Sequence, residues 1–329
     1  MPGTPPPLVP AQGERGLSSH QPADVAALLE PAWASLERLA ERIDLDASTR
    51  LPGWTARQVL VRCGTWPDGD TADDTPIGSV ADRISLARSG NDEPVEDAES
   101  RTARLLASQH DASRSEVLAA LRRARRDTSS YLLSEDAVTI GTRPVQSVVG
   151  ELPLTGLIVA RAYELAVHSI DLLNARQAGT AVVDAPDDNV LVAGLAALVD
   201  VTGALAARQQ LTVTFAVLTP VAVWAVGVAG DDWTTARIDV GPGRSLGWPS
   251  VEGTAVDVLD ASAGRASAAQ LLLTRRLRVN DVPSLLQLLP ALEGAPGLPG
   301  GAGIRAATRV LAGAGQAVSG LTSRLPGWR

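Results

Sequence analysis

Midway along the chain an apolar helical run carries a single polar stripe, and that combination limits what the surrounding sequence can build. In Arg161-Ala162-Tyr163-Glu164-Leu165-Ala166-Val167-His168-Ser169-Ile170-Asp171 the polar residues recur at steps of three and four. On an α-helix such residues share one face. Arg161, Glu164, His168 and Asp171 therefore line up, flanked by Leu165, Ala166, Val167, Ile170 and Leu172. A carboxylate and an imidazole at i and i+4 can grip one metal ion. The same spacing also suits a helix that turns its polar stripe to solvent, so a second stretch has to decide between them.

The remaining periodicity supplies neighbours for this helix. Val25, Leu28, Leu29, Trp33, Leu36, Leu39 and Ile43 recur at helical spacing and predict a first amphipathic helix over 22–43. Leu51-Pro52-Gly53-Trp54 reads as a turn, and Thr55 as the N-cap of a second helix running to Gly64. A long helix follows over 113–133, and the striped helix over 153–175. Four helices with one long crossover make a bundle, an architecture that builds cofactor sites from facing side chains. The crossover, residues 68–99, is acidic and reads as a loop with a short helix near 80–87.

Beyond a linker the period changes. Residues 190–209 read as one more helix, then Val221–Val228 and Thr234–Val240 read as strands joined by Gly230-Asp231-Asp232, a hairpin signal. Trp248–Val251 and Leu271–Val279 read as further strands, with helices over 253–262 and 282–292. The expected fold class is α+β, with residues 21–178 as a four-helix bundle and 185–292 as a small α+β domain with a mostly antiparallel sheet. Residues 1–20, rich in Pro, Gly and Ser, read as a disordered leader. The tail 293–329 is rich in Gly and Pro at first, then carries apolar residues in a seven-residue repeat with Arg305, Arg309 and Arg324. That repeat suits an amphipathic helix meeting a partner or a membrane surface, or docking back on the protein, or no fixed structure.

Composition narrows the function classes. The net charge of −8 opposes nucleic-acid binding, which needs a basic face to displace counterions. The single cysteine, Cys63, cannot form an intramolecular disulfide and fits a reducing, cytoplasmic setting. No secretory signal pattern opens the sequence. The most apolar stretch, 190–207, is interrupted by Asp200 and two glycines and reads as a buried helix rather than a transmembrane span.

The decisive second stretch is Gly53-Trp54-Thr55-Ala56-Arg57-Gln58-Val59-Leu60. It resembles the opening of the second helix in mycothiol-dependent maleylpyruvate isomerase-like proteins, members of the DinB-like metal-binding bundles. The stripe Arg161, Glu164, His168, Asp171-Leu172 resembles their fourth-helix motif. Trp224, Gly230-Asp231-Asp232-Trp233 and Gly253-Thr254-Ala255-Val256-Asp257-Val258-Leu259 with Gly264-Arg265 are similar to the sterol-carrier-like domain appended to the same family. The resemblance implies a divalent metal, usually zinc, held by a histidine from the second helix and by Glu164 and His168, with Arg161 and Asp171 supporting them. It also implies mycothiol as the thiol co-substrate of an isomerase or thiol transferase. The second-helix histidine belongs eight residues after Trp54, where this chain has Arg62. A guanidinium keeps its proton and cannot ligate a metal. Arg62 is expected to pair with Glu164 and fill the pocket with an ion pair. Cys63, His20 and His110 are the remaining candidates for the missing ligand. Three functions follow: a thiol-dependent enzyme with a rearranged or two-ligand metal site, a metal-free binding or scaffold protein, or an apolar-ligand carrier acting through the C-terminal domain.

Overall fold

The computed structural model describes residues 6–66, 80–89, 98–147, 149–175, 183, 185–239 and 246–288. The chain is α+β. Helix α1 (Pro22–Arg42) opens with proline in its first turn, where a missing N–H costs nothing. Helix α2 (Ala56–Cys63) is started by a reciprocal cap, Thr55 and Gln58 each accepting from the other's backbone N–H. Ser113 and Glu116 do the same for α5 (Arg114–Leu132). Between them lie α3 (Val80–Ser89) and α4 (Ala98–Ser108). After α6 (Glu135–Thr139) a two-strand ribbon, β1 (Pro144–Val145) with β2 (Leu152–Pro153), leads into the striped helix α7 (Leu154–Asp171). Helices α1, α2, α5 and α7 pack together as the bundle.

Helix α8 (Asp188–Arg208) follows, then strands β3 (Thr212–Leu218), β4 (Val223–Ala229), β5 (Asp232–Arg237) and β6 (Ser250–Gly253). Helices α9 (Ala255–Ser262) and α10 (Ala268–Leu273), strand β7 (Leu277–Asn280) and α11 (Val282–Leu286) complete the order. The sheet runs β5-β4-β3-β6-β7, antiparallel except for the β3–β6 pair. At the β4–β5 hairpin Gly230 takes φ +62°, a value the turn requires and glycine adopts without strain.

Helix α8 is the wall shared by the two halves. One side packs on α7 and α1, the other on β3, β4 and β5. It is apolar nearly all round, as a helix covered on both sides must be. By length and hydropathy it could cross a membrane; here most of it is buried inside the protein. Two glycines permit the double contact. A Cβ on Gly194 would meet the Ala166 Cβ at 2.2 Å on the bundle side, and one on Gly203 would meet Val226 Cγ2 at 2.6 Å on the sheet side. A single apolar core therefore runs from the bundle through α8 to the sheet.

Several sequence expectations need correction. Residues 6–20 are ordered, not disordered. Leu8 packs on the outer sheet face with Trp248 and Ala225, a short 3-10 turn spans Gly16–Ser19, and Leu17 is buried. Composition suggested disorder because the anchors of this strap lie far downstream, at Trp233, Asp232 and Asp200. Strand β3 went unread, although it is the centre of the sheet. The strand expected over 271–279 is instead α10, a turn with Arg275 at φ +58°, and β7. Helix α4 begins at the end of the acidic crossover and runs through residues where no element was expected. Most of the linker, nearly all of residues 68–79 and 90–97, and the tail from 293 lie outside the described residues.

Asp200, in the middle of α8, fastens the strap. Its Oδ1 accepts from the Leu17 backbone N–H (2.9 Å), Trp233 Nε1 (3.1 Å) and Thr235 Oγ1 (2.7 Å). Gly16, at φ +53°, passes so close that a Cβ there would lie 1.9 Å from the same oxygen. Burial pushes the carboxyl above its ordinary value, with the three donors pulling the other way. The folded state thus holds the proton more tightly than the unfolded one, and the contribution of Asp200 to stability declines as pH rises above the ordinary carboxylate value. Asp200→Ala strands three buried donors at about 1–3 kcal/mol each before water recovers part of the loss. Urea denaturation is expected to show a loss on the order of 3 kcal/mol for Asp200→Ala. Asp200→Asn, which keeps the acceptor, should lose clearly less and flatten the pH dependence.

Candidate functional site

Helix α7 buries its apolar faces against α1, α2 and α8, which leaves its polar stripe turned toward the end of α2. His168 and Asp171, in its last turn, are almost wholly buried. His168 Nε2 accepts from Arg62 Nε at 3.1 Å. A guanidinium can only donate, so Nε2 carries a lone pair and the imidazole proton resides on Nδ1. That proton is donated to Asp171 Oδ2 at 3.0 Å. Asp171 in turn accepts twice from Arg265, Nε to Oδ1 at 3.0 Å and Nη2 to Oδ2 at 3.2 Å. One unbroken chain of hydrogen bonds thus runs from α2, through α7, to the loop after α9.

The electrostatics of Asp171 follow from this chain. Burial alone would raise its pKa, but the hydrogen bonds from His168 and Arg265 outweigh it and hold the carboxyl below the ordinary carboxylate range. The backbone N–H of Arg50 donates to the Asp171 carbonyl at 2.9 Å, and the Arg50 guanidinium pairs with Asp260 at 2.7 Å. Two arginines, one on each side, therefore close the C-terminal end of α7, where a helix favours positive charge.

Glu164 is engaged by Arg161 at 2.5 Å, one turn earlier on the same helix. Arg161 also donates to the Cys63 carbonyl at 3.1 Å, satisfying the end of α2. The expected Arg62–Glu164 pair is replaced: Arg62 turns to His168 and, at its other end, donates to Thr102 on α4. Cys63 is buried, and burial pushes its thiol up to about 12. His110 lies on the surface against Asp111 at 2.7 Å, and His20 follows the strap turn on the Asp200 side. The sequence reading thus brought together Arg62, Glu164, His168, Arg161 and Asp171, and missed Arg265, Arg50 and Thr102 as parts of the site. The only local signal for Arg265 was its position after Gly264, which takes φ +70° at the end of α9.

Two open clefts indent the surface, of about 540 Å³ beside Arg88 and Asp136 and about 490 Å³ between α1 and α5. Neither is lined by Arg62, Glu164 or His168. Within the stripe His168 and Asp171 are buried, while the Arg161 and Glu164 side chains are 35% and 36% exposed.

Residues 29–173, which carry the whole junction except Arg265, match the mycothiol maleylpyruvate isomerase N-terminal domain family. Two solved structures, both crystal structures of mycothiol-dependent maleylpyruvate isomerase and one of them a mutant, are each 16% identical to the chain. Each covers 77% of it, with 92% and 93% of their own lengths and TM-scores of 0.44 and 0.45. No curated protein matches the chain.

Among the described residues no three His, Cys, Asp or Glu side chains come together as a ligand group. His168 Nε2, the atom that would face a cation, already faces one in the Arg62 guanidinium. Removing a partner from a buried ion pair leaves a charge uncompensated at a cost of about 3–5 kcal/mol. Asp171→Ala is therefore expected to lose stability of that order at neutral pH. Because the folded-state value of Asp171 is depressed, its contribution is fully present above the ordinary carboxylate value and is lost as pH falls through the folded one. Urea titrations across a pH series should show the gap between wild type and Asp171→Ala narrowing in acid.

Proposed function

We propose that this chain is a metal-free member of the mycothiol-dependent isomerase-like family, a binding or scaffold protein in which the Arg62 guanidinium takes the place of the cation. The observation that carries this reading is the 3.1 Å hydrogen bond from Arg62 Nε to His168 Nε2. A metal-bound histidine usually directs one ring nitrogen at the ion and donates from the other to a carboxylate. His168 keeps that whole posture, with Asp171 on the far nitrogen, while the near nitrogen serves a permanent organic cation. Thiol activation by a bound metal requires a lowered thiol pKa at an open coordination position. In this reading the Arg62 guanidinium stands in for the ion beside His168, and Arg161 pairs with the Glu164 carboxylate.

The test is metal content. Protein purified without chelator should hold far less than one zinc per chain by elemental analysis. Arg62→His should raise zinc toward one per chain, and His168→Ala in the same background should abolish the gain. Near-stoichiometric zinc in the unaltered protein would overturn the reading, as would no gain in Arg62→His.

A further inference from the structure

We propose that Arg265, from the C-terminal half, is the positioning residue that sets the tautomer and orientation of His168 in the bundle, acting through Asp171. This rests on the proposed reading of the α2–α7 junction and extends it to the second half of the chain. Arg265 grips both oxygens of Asp171 with a two-pronged guanidinium, a geometry that fixes the plane of a carboxylate as a point charge cannot. Asp171 has essentially no solvent exposure, so water cannot replace Arg265 as the holder of that plane. With the carboxylate fixed, Oδ2 presents one direction to His168 Nδ1, and Nε2 is aimed at Arg62. Among the described residues none from the bundle duplicates this hold. Arg50, the other arginine at this end of α7, reaches the Asp171 backbone carbonyl and the Asp260 side chain.

The experiment reads His168 by its imidazole ¹⁵N resonances in the full-length chain, which contains three histidines, so His168→Gln assigns the signal. Wild type should show a single Nδ1–H tautomer with a slowly exchanging proton. Arg265→Gln should average the two nitrogen shifts and speed Nδ1–H exchange by about tenfold or more, and Arg265→Lys should restore only part of the wild-type pattern. Arg276→Gln removes a comparable bridge on the same half, from Arg276 to Asp257, with no path to His168. It should leave the His168 signals unchanged. The second measurement is zinc affinity in the Arg62→His background. Carboxylate partners of a ligating histidine change metal affinity by about 10–100-fold, and Arg265→Gln should weaken zinc binding by that factor while Arg276→Gln does not. Unaltered His168 signals in Arg265→Gln, or equal effects from Arg276→Gln, would overturn the proposal. If Arg62→His takes up no zinc, the reading of the junction fails while the resonance measurement still decides the role of Arg265.

Discussion

A buried carboxylate with no water around it must be surrounded by donors or give up its charge. Asp171 is surrounded: an imidazole from its own helix and a forked guanidinium from the other half of the chain both reach it. Everything distinctive about the junction descends from that. The charge stays because His168 and Arg265 both donate to it, and His168 turns its other nitrogen to Arg62. Arg62 then finds a bare ring nitrogen to donate to. Burial works against the ionised form, and the hydrogen bonds prevail.

The second constraint is geometric. Helix α8 lies against helices on one side and a sheet on the other, and both approaches are closer than a methyl group would allow at Gly194 and Gly203. Close-packed interiors transmit displacement rather than absorb it. The bundle and the sheet are thus joined through the core as well as by the surface arginines, and Arg265 acts across an interface already held in register. Tyr163 adds a further fastening there, its hydroxyl 3.0 Å from Ser262 Oγ at the end of α9.

What the sequence disclosed was mostly local. The cap at Thr55, the helical spacing of 22–43 and the hairpin around Gly230 depend on residues a few positions apart, and each element formed where its pattern lay. The central strand β3 was missed because Leu211-Thr212-Val213-Thr214-Phe215 follows α8 with no glycine or proline to mark the change of period. The step from Trp54 to Arg62 pointed to the α2 residue that meets α7. It led to Glu164 as the expected partner, whereas Arg62 donates to His168 and Arg161, one turn away on α7, pairs with Glu164. Arg265 was beyond reach: it stands 94 positions from Asp171, and no periodicity links them.

The strap of residues 6–20 carries a consequence for how the protein comes into being. Arg15 pairs with Asp232, 217 positions later, and Leu17 waits for an oxygen on α8. A ribosome therefore releases these residues well before their anchors on α8 and β5. Contacts this distant along a chain close slowly, because the intervening loop must be organised before they repay its entropy. On a nascent chain residues 6–20 stay unfastened until α8 and β5 have emerged to hold them.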